Sequence, residues 1–162
     1  MKKAKKFISL FITICLLMTF VPMQMVYADS AFSGGNGTMD DPYLITSAND
    51  FKQLATEVNG GNNYSNTYFK IPETVTETIE LSTDDGYVPI GNDTNQFEGT
   101  FDGGNHTINL NLTGERLVGL FGEGGENSNL CNIRTTGSVS MTGYYAGGIV
   151  ANMYGNVVNC HN

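Results

Sequence analysis

FEGTFDGGNHTINLNLTGERLVGLFG, residues 97–122, alternates short apolar runs with turn-forming residues. Within it, residues 108–112 (INLNL) alternate apolar and polar side chains, the pattern of a strand with one buried face. Residues 102–105 (DGGN) supply turn chemistry before this strand, and Thr113-Gly114 makes a second break after it. Short strands that bend often, without long loops, predict a chain that winds in a coil rather than a sandwich of long strands.

The later chain repeats itself imperfectly. Apolar-Asn-apolar triplets recur around Asn109, Asn132 and Asn159, roughly 25 residues apart, and residues 119–122 (GLFG) match residues 148–151 (GIVA). Repeats of this length built from strand and turn predict a solenoid in which each repeat is one rung. We expect the three asparagines to stack through their side-chain amides. The alternative is that asparagine is simply frequent in turns.

One amphipathic helix is predicted near the start of the repeats. Ser47 is a good N-cap, Asp50 completes a capping-box-like pair, and residues 59–61 (NGG) end the helix. The apolar stripe of this helix consists of Phe51, Leu54, Ala55 and Val58. We expect the helix to cap the exposed end of the strand coil.

The N-terminus predicts export. Residues 1–28 combine four lysines, an apolar run and a cleavage site after Ala28, which is typical of a signal peptide. The alternative is a retained transmembrane anchor, for which the apolar run is short. We therefore predict three parts: a signal peptide (1–28), an N-terminal strand with its capping helix (29–66), and β-helix rungs (67–162).

The charge distribution excludes several partners. All sixteen acidic residues follow residue 28, whereas the basic residues there are Lys52, Lys70, Arg116 and Arg134. Such a surface repels phosphate backbones and anionic lipids, so we expect no nucleic-acid binding and no membrane insertion after signal cleavage. The predicted location is secreted or at the cell surface.

Two cysteines follow the predicted cleavage site. Cys131 aligns with Ile108 and Val158, whereas Cys160 aligns with Leu110 and Ile133, two residues out of step. Neighbouring rungs and this stagger separate the two Cα atoms by about 8 Å. Because a disulfide does not reach that far, we predict two buried free thiols.

Three strings resemble repeats of bacterial surface proteins. They are GGNGTMDDPYLITSANDFKQLA (34–55), FEGTFDGGNHTINL (97–110) and GGIVANMYGNVVNC (147–160), the last of which resembles the GLUG motif. The GLUG repeat occurs in bacterial cell-surface proteins, including immunoglobulin A peptidases outside their catalytic parts. Ala151 stands where a second motif glycine is usual. The resemblance implies a right-handed parallel β-helix in an exported protein and brings no catalytic residues.

Candidate chemistry is sparse in the sequence. Parallel β-helices often cleave acidic polysaccharides with carboxylates on one face, which makes Asp84, Asp85, Asp93 and Asp102 the candidates. Each sits among turn residues, and a structural role is the simpler interpretation. The two histidines, His106 and His161, have no metal-ligand spacing. We therefore predict no catalytic residues, no cofactor and no metal site, and leave open calcium binding by the acidic turns.

The sequence thus predicts an all-β fold: a right-handed parallel β-helix (solenoid) with an N-terminal amphipathic capping helix. The predicted function is a non-catalytic exported cell-surface module, adhesin-like or a stalk, with host or matrix glycans or proteins as partners. The alternative is the N-terminal part of a secreted carbohydrate-active enzyme, or of a surface peptidase with a downstream catalytic domain. The last rung runs to His161-Asn162 without a cap, so we expect further rungs or a packing partner there.

Overall fold

The computed structural model describes residues 32–162, and the predicted signal peptide lies outside them. Within the described residues the chain forms one helix and ten strands, of which two are long, with 12 and 13 residues, and the others have two to four. The elements are β1 (Tyr43–Leu44), α1 (Ala48–Asn59), β2 (Tyr68–Lys70), β3 (Ile79–Ser82), β4 (Thr100–Asp102), β5 (Thr107–Val118), β6 (Phe121–Gly124), β7 (Asn129–Cys131), β8 (Arg134–Ala146), β9 (Val150–Met153) and β10 (Asn156–Val158).

The strands assemble into three parallel sheets. Sheet A has the order β1-β2-β4-β7-β10, sheet B the order β3-β5-β8, and sheet C pairs β6 with β9. Every pairing between these strands is parallel. From β2 onward, successive strands of the chain enter different sheets, so partners within a sheet are far apart in sequence.

An apolar core fills the space between the sheets. Its largest members are aromatic, and the rings of Phe97 and Phe101 lie 5.2 and 5.4 Å from the ring of Phe121. Phe51 of α1 reaches the same cluster, with its ring 5.6 Å from that of Phe101. Tilted and edge-on ring contacts at these distances add to the stabilisation that burial provides. The helix is therefore packed against the core that the sheets enclose.

Helix α1 confirms the sequence prediction. The Ser47 side chain accepts from the Asp50 backbone N–H at 3.3 Å, and the Asp50 carboxylate accepts from the Ser47 backbone N–H at 3.0 Å. Both bonds satisfy donors that a helix N-terminus leaves unpaired. The predicted stripe is buried, and Gly60 forms the C-cap.

The prediction of an all-β right-handed parallel β-helix is wrong. The described residues form three small parallel sheets and one helix, an α/β arrangement without a closed solenoid. The sheets have five, three and two strands. Sheet C gains only isolated bridges from residues before it, such as Ile90 with Phe121. Pro89 has no N–H to donate and Gly91 has a φ of 86°, so no strand forms around Ile90.

The predicted register holds in part. Phe121 pairs with Val150 and Cys131 with Val158, as the repeats indicated. The alignment of Ile108 with Cys131 is wrong, because Ile108 lies in sheet B beside Thr135. Strand β5 also continues through the predicted break at Thr113-Gly114, where the pairing only shifts its register.

Candidate functional site

A groove of about 590 Å³ lies on the outer face of sheet A. We call it the sheet A groove. Its walls combine apolar and polar side chains from strands β2, β4 and β7 and from the loop before β1. The residues around it are Met39, Asp40, Pro42, Tyr68, Phe69, Lys70, Thr100, Asp102, Asn129 and Cys131.

Alternation along three short strands produces this face. Phe69, Phe101 and Leu130 are paired neighbours at the strand centres, and all three are buried. Because successive side chains of a strand point to opposite faces, the residues on either side of each centre point outward. Two rows result, and the register aligns each of them across the strands. One row is Tyr68, Thr100 and Asn129, and the other is Lys70, Asp102 and Cys131.

The loop before β1 forms one rim of the groove. The side-chain oxygen of Asn36 accepts from both the backbone N–H and the hydroxyl of Thr38, at 3.1 and 2.8 Å. The backbone N–H of Tyr68 donates to the Gly37 carbonyl at 2.9 Å, which ties the loop to β2. These bonds hold Met39, which is highly exposed, beside the outward face of the strands.

Asp102 connects the groove to a ladder of polar side chains. Its Oδ1 atom accepts from the Gly104 backbone N–H and from Asn132 Nδ2, both at 2.9 Å. Asn159 Nδ2 in turn donates to Asn132 Oδ1 at 2.6 Å. Both asparagines have positive φ values, 54° and 53°, which asparagine tolerates better than most residues.

The predicted asparagine stack is therefore correct for Asn132 and Asn159 and wrong for Asn109. Asn109 lies in β5 on sheet B, where its Nδ2 donates to Glu80 at 2.6 Å and its Oδ1 accepts from Thr136 at 3.2 Å. The third place in the ladder belongs to Asp102.

Both cysteines of the described chain are free, as predicted. They are half-buried rather than fully buried, and Cys131 lines the groove. Its thiol donates to the Phe101 carbonyl at 3.6 Å. Burial raises the pKa of the Cys131 thiol, and the nearby Asp102 and Cys160 raise it further. The prediction that the Cys131 thiol faces the core is wrong, because Leu130 occupies the core-facing position of β7.

The structure does not gather the candidate aspartates into one site. Asp84 and Asp85 lie in the turn after β3, where Lys52 Nζ donates to the Asp85 carbonyl at 2.6 Å. Asp93 forms an exposed ion pair with Arg116 at 2.8 Å. Of these four aspartates, only Asp102 lines the sheet A groove.

Neither His106 nor His161 lines the sheet A groove. His106 follows the Asp102 turn, and its buried Nε2 atom makes no hydrogen bond. His161 is exposed, and its backbone bridges Arg134. Residues 32–162 contain no group of three or more His, Cys, Asp or Glu side chains that could hold a metal ion.

Sequence reasoning missed Tyr68, Lys70 and Asn129 as surface residues of one site. A signal was present, because Tyr68 and Lys70 flank the apolar Phe69 in a strand pattern. Their assembly with Asn129 depends on pairing between strands that are distant in sequence.

Among residues 32–162, no helix is long and apolar enough to cross a membrane.

Two curated proteins align with most of the chain. A protein of Evansella cellulosilytica described as a Gly-rich membrane protein is 32% identical over 161 residues, which cover 94% of this chain and 18% of that protein. Halomucin of Haloquadratum walsbyi is 38% identical over 125 residues, which cover 72% of this chain and 1% of halomucin. The chain therefore spans only a small part of either relative.

No protein-family model matches the chain, and no solved structure matches it. The resemblance to GLUG repeats stays a prediction.

Proposed function

We propose that this chain is a non-catalytic module of an exported surface protein, and that it binds neutral glycans in the sheet A groove. Three features support the surface location: the signal-peptide pattern of residues 1–28, the acidic composition after it, and the similarity to proteins named as a membrane protein and a halomucin. We prefer an adhesin-like role to that of a passive stalk, because the sheet A groove offers a surface for a ligand.

The observation that carries the glycan proposal is the placing of Tyr68 beside aligned polar side chains. An aromatic side chain offers a sugar ring an apolar face to stack on, while the edge of the sugar needs hydrogen-bond partners. Thr100, Asn129 and Lys70 supply such partners in two straight rows across the strands. Rows with strand spacing, about 4.8 Å, suit an extended chain of sugar units better than a compact ligand.

The charge balance selects neutral glycans. Lys70 is the groove's single basic residue, and two acidic residues, Asp40 and Asp102, stand near it. Residues 32–134, which include the whole groove, carry fifteen acidic and only four basic residues. A polyanionic polysaccharide would therefore be repelled both at long range and in the groove.

The groove is suited to binding rather than hydrolysis. Glycosidases place two carboxyl groups on either side of the scissile bond and leave them free to move protons. The Oδ1 atom of Asp102 is already engaged by Gly104 and Asn132. Asp40, the other carboxylate of the groove, is exposed in the loop at its rim. The remaining candidate aspartates lie in other turns. We therefore assign Asp102 to the support of the groove.

Isothermal titration with cellohexaose and chitohexaose tests the proposal, with a hexamer of polygalacturonate as the anionic comparison. We expect at least one neutral hexasaccharide to bind and the polyanion not to bind. Tyr68→Ala should weaken binding by about tenfold, the usual effect of removing an aromatic anchor. Tyr154→Ala is the matched control, since Tyr154 is an exposed tyrosine that does not line the groove.

Alkylation provides a second readout that needs no mutation. The raised pKa of Cys131 slows its reaction at neutral pH, so labelling is done near pH 9. A bound hexasaccharide should protect Cys131 and leave Cys160 reactive, since only Cys131 lines the groove. Binding that is unchanged by Tyr68→Ala and leaves Cys131 unprotected, or cleavage of the hexasaccharide, would contradict the proposal.

A further inference from the structure

Three oxygen-bearing side chains lie together beside β6 of sheet C. The backbone N–H of Phe97 donates to the Glu123 carbonyl at 3.1 Å, and the N–H of Gly125 donates to the Phe97 carbonyl at 2.8 Å. Phe97 is buried in the core, so its neighbours Gln96 and Glu98 point outward, beside Glu123 and Gly125. We call Gln96, Glu98 and Glu123 the sheet C cluster.

Glu123 is a buried carboxylate with an unsatisfied oxygen. Only 4% of the residue is exposed. Its Oε1 atom accepts from Gln96 Nε2 at 2.9 Å, whereas its buried Oε2 atom has no hydrogen-bond partner within residues 32–162. The only ion pair of those residues joins Asp93 with Arg116, so no basic side chain neutralises Glu123. Because a carboxylate loses its hydration on burial, the position of Glu123 indicates a positively charged partner.

Two further oxygen atoms face the same place. A β-carbon on Gly125 would overlap Glu98 Oε1 and would lie 3.0 Å from Gln96 Oε1, so the two oxygen atoms are close together and glycine leaves room for both. Glu98 Oε2 accepts from the Asn127 backbone N–H at 2.9 Å, which holds that carboxylate in place. Within the described residues, neither Oε1 atom accepts a hydrogen bond. The cluster therefore presents three oxygen acceptors and no donor to satisfy them.

These ligands suit a calcium ion. Ca²⁺ takes about six to eight oxygen ligands from carboxylates, amides, backbone carbonyls and water, at about 2.3 to 2.6 Å. Adjacent strands stand about 4.8 Å apart, which matches two oxygens on opposite sides of such an ion. Mg²⁺ binds oxygen at about 2.0 to 2.1 Å and requires ligands that lie closer together. Transition metals favour nitrogen or sulfur ligands, which the cluster lacks.

We propose that the sheet C cluster binds one Ca²⁺ ion. Glu123 Oε2 and Glu98 Oε1 supply the two charged ligands, Gln96 Oε1 supplies a neutral one, and water completes the shell. With two carboxylates the affinity is modest, and the dissociation constant is on the order of 0.1 to 1 mM, the range of extracellular calcium modules. The ion joins β6 to the segment before β4. None of the three residues lines the sheet A groove, so the inference is independent of glycan binding.

Isothermal titration of the exported chain with CaCl₂, at constant ionic strength, tests the proposal. We expect one site per chain with a dissociation constant in that range, and binding of MgCl₂ at least about tenfold weaker. Glu123→Gln keeps the shape of the side chain but removes its charge, so it should weaken calcium binding by at least about tenfold. Glu115→Gln is the matched control, since Glu115 is exposed in β5 and lies outside the cluster.

Thermal unfolding separates a lost ligand from a folding defect. Calcium bound to the native state should raise the unfolding temperature of the unmodified chain. Without calcium, Glu123→Gln should unfold at the same temperature as the unmodified chain or at a higher one, because it no longer buries a charge. Calcium should then have no effect on its unfolding temperature. Glu98→Gln is a second variant that keeps an acceptor for the Asn127 N–H, and it should also weaken calcium binding.

Backbone amide NMR locates the ion. Resonances of residues 96–98 and 123–125 should shift as CaCl₂ is added, and those of residues 79–82 should not. Three results would each overturn the proposal: no binding at about 10 mM calcium, tenfold above the expected range; binding that Glu115→Gln weakens as much as Glu123→Gln and Glu98→Gln do; or shifts confined to other acidic turns.

Discussion

The two edge strands of sheet A, β1 and β10, differ in whether other residues cover them. At the first edge, residues 33 and 34 hydrogen-bond to Leu44 of β1, with N–H···O distances of 3.2 and 2.9 Å. Phe32 also packs there, with its ring 5.1 Å from that of Tyr43. At the other edge, β10 pairs with β7 alone among residues 32–162, and Val157 and Val158 are exposed.

The difference shows that an apolar alternation specifies which face a side chain takes, but not whether that face is covered. Leu130 and Val157 hold the same register position in paired strands. Leu130 is buried because strands on both sides and the core side chains surround it, whereas Val157 lacks a neighbour on one side. Leu130 therefore gains the stabilisation that burial provides, about 25 cal/mol per Å² of apolar surface, whereas Val157 gains little of it.

Truncating this register-matched pair should give the largest contrast. Leu130→Ala removes a fully buried side chain and leaves a cavity, so it should lower the free energy of unfolding by about 3 kcal/mol. Val157→Ala removes an exposed side chain and should cost about 0.5 kcal/mol. Urea denaturation at low protein concentration measures both. Equal losses would mean that Val157 is as well packed as Leu130.

The covered edge of sheet A, at β1, depends on Asp50. Replacing Asp50 should therefore have the next largest effect on the free energy of unfolding. Asp50 Oδ2 accepts from the backbone N–H groups of Thr46 and Ser47 at 2.8 and 3.0 Å and from the Ser33 hydroxyl at 2.8 Å. It thus joins the helix cap to the segment that covers β1. Asp50→Ala should cost about 2 kcal/mol, since it removes the cap interaction and leaves half-buried donors unpaired.

Asp50→Asn is the informative control for this prediction. It keeps one acceptor oxygen of the same shape and should recover part of the loss. Urea denaturation is again the measurement, with Asp84→Ala as a comparison at an exposed turn position. If Asp50→Ala proves no worse than Asp84→Ala, the covered end does not rely on this carboxylate.

The ladder of polar side chains runs from Asp102 through Asn132 to Asn159. It should contribute less to the free energy of unfolding than Asp50 does. Asn132→Ala removes the bonds to Asp102 and Asn159 and places alanine, which tolerates left-handed backbone less well than asparagine, at a φ of 54°, at a cost of about 1.5 kcal/mol. Asn132→Gly removes the same bonds but accepts the backbone conformation, so it should cost about half as much. Thermal unfolding of the two variants separates the terms, and identical losses would show that backbone conformation contributes nothing.

Local features of this fold could be predicted from the sequence, whereas the placing of strands in sheets could not. The capping pair Ser47 and Asp50 and the stripe of α1 act within one helix, so their spacing suffices. The triplets at Asn109 and Asn132 look alike in sequence, yet they lie in sheet B and at the end of β7 in sheet A. Which sheet a triplet joins depends on the turns before it, and those differ.

The sheet A groove shows the same limit for the site. Tyr68 and Lys70 could be assigned to an outward face from the strand pattern around Phe69. Their neighbours Thr100 and Asn129 come from strands roughly 30 residues further along each time, and only the register brings them together. The four aspartates weighed as an alternative catalytic set, which the sequence favoured as turn residues, lie in separate turns that the fold does not bring together.

The smallest effect should come from the ion pair of Asp93 with Arg116. Both side chains are about half exposed, so water and salt screen their attraction. Arg116→Ala should change the free energy of unfolding by about 0.5 kcal/mol or less, and the change should vanish in 1 M NaCl. A loss above about 1.5 kcal/mol would show that this surface charge supports the fold.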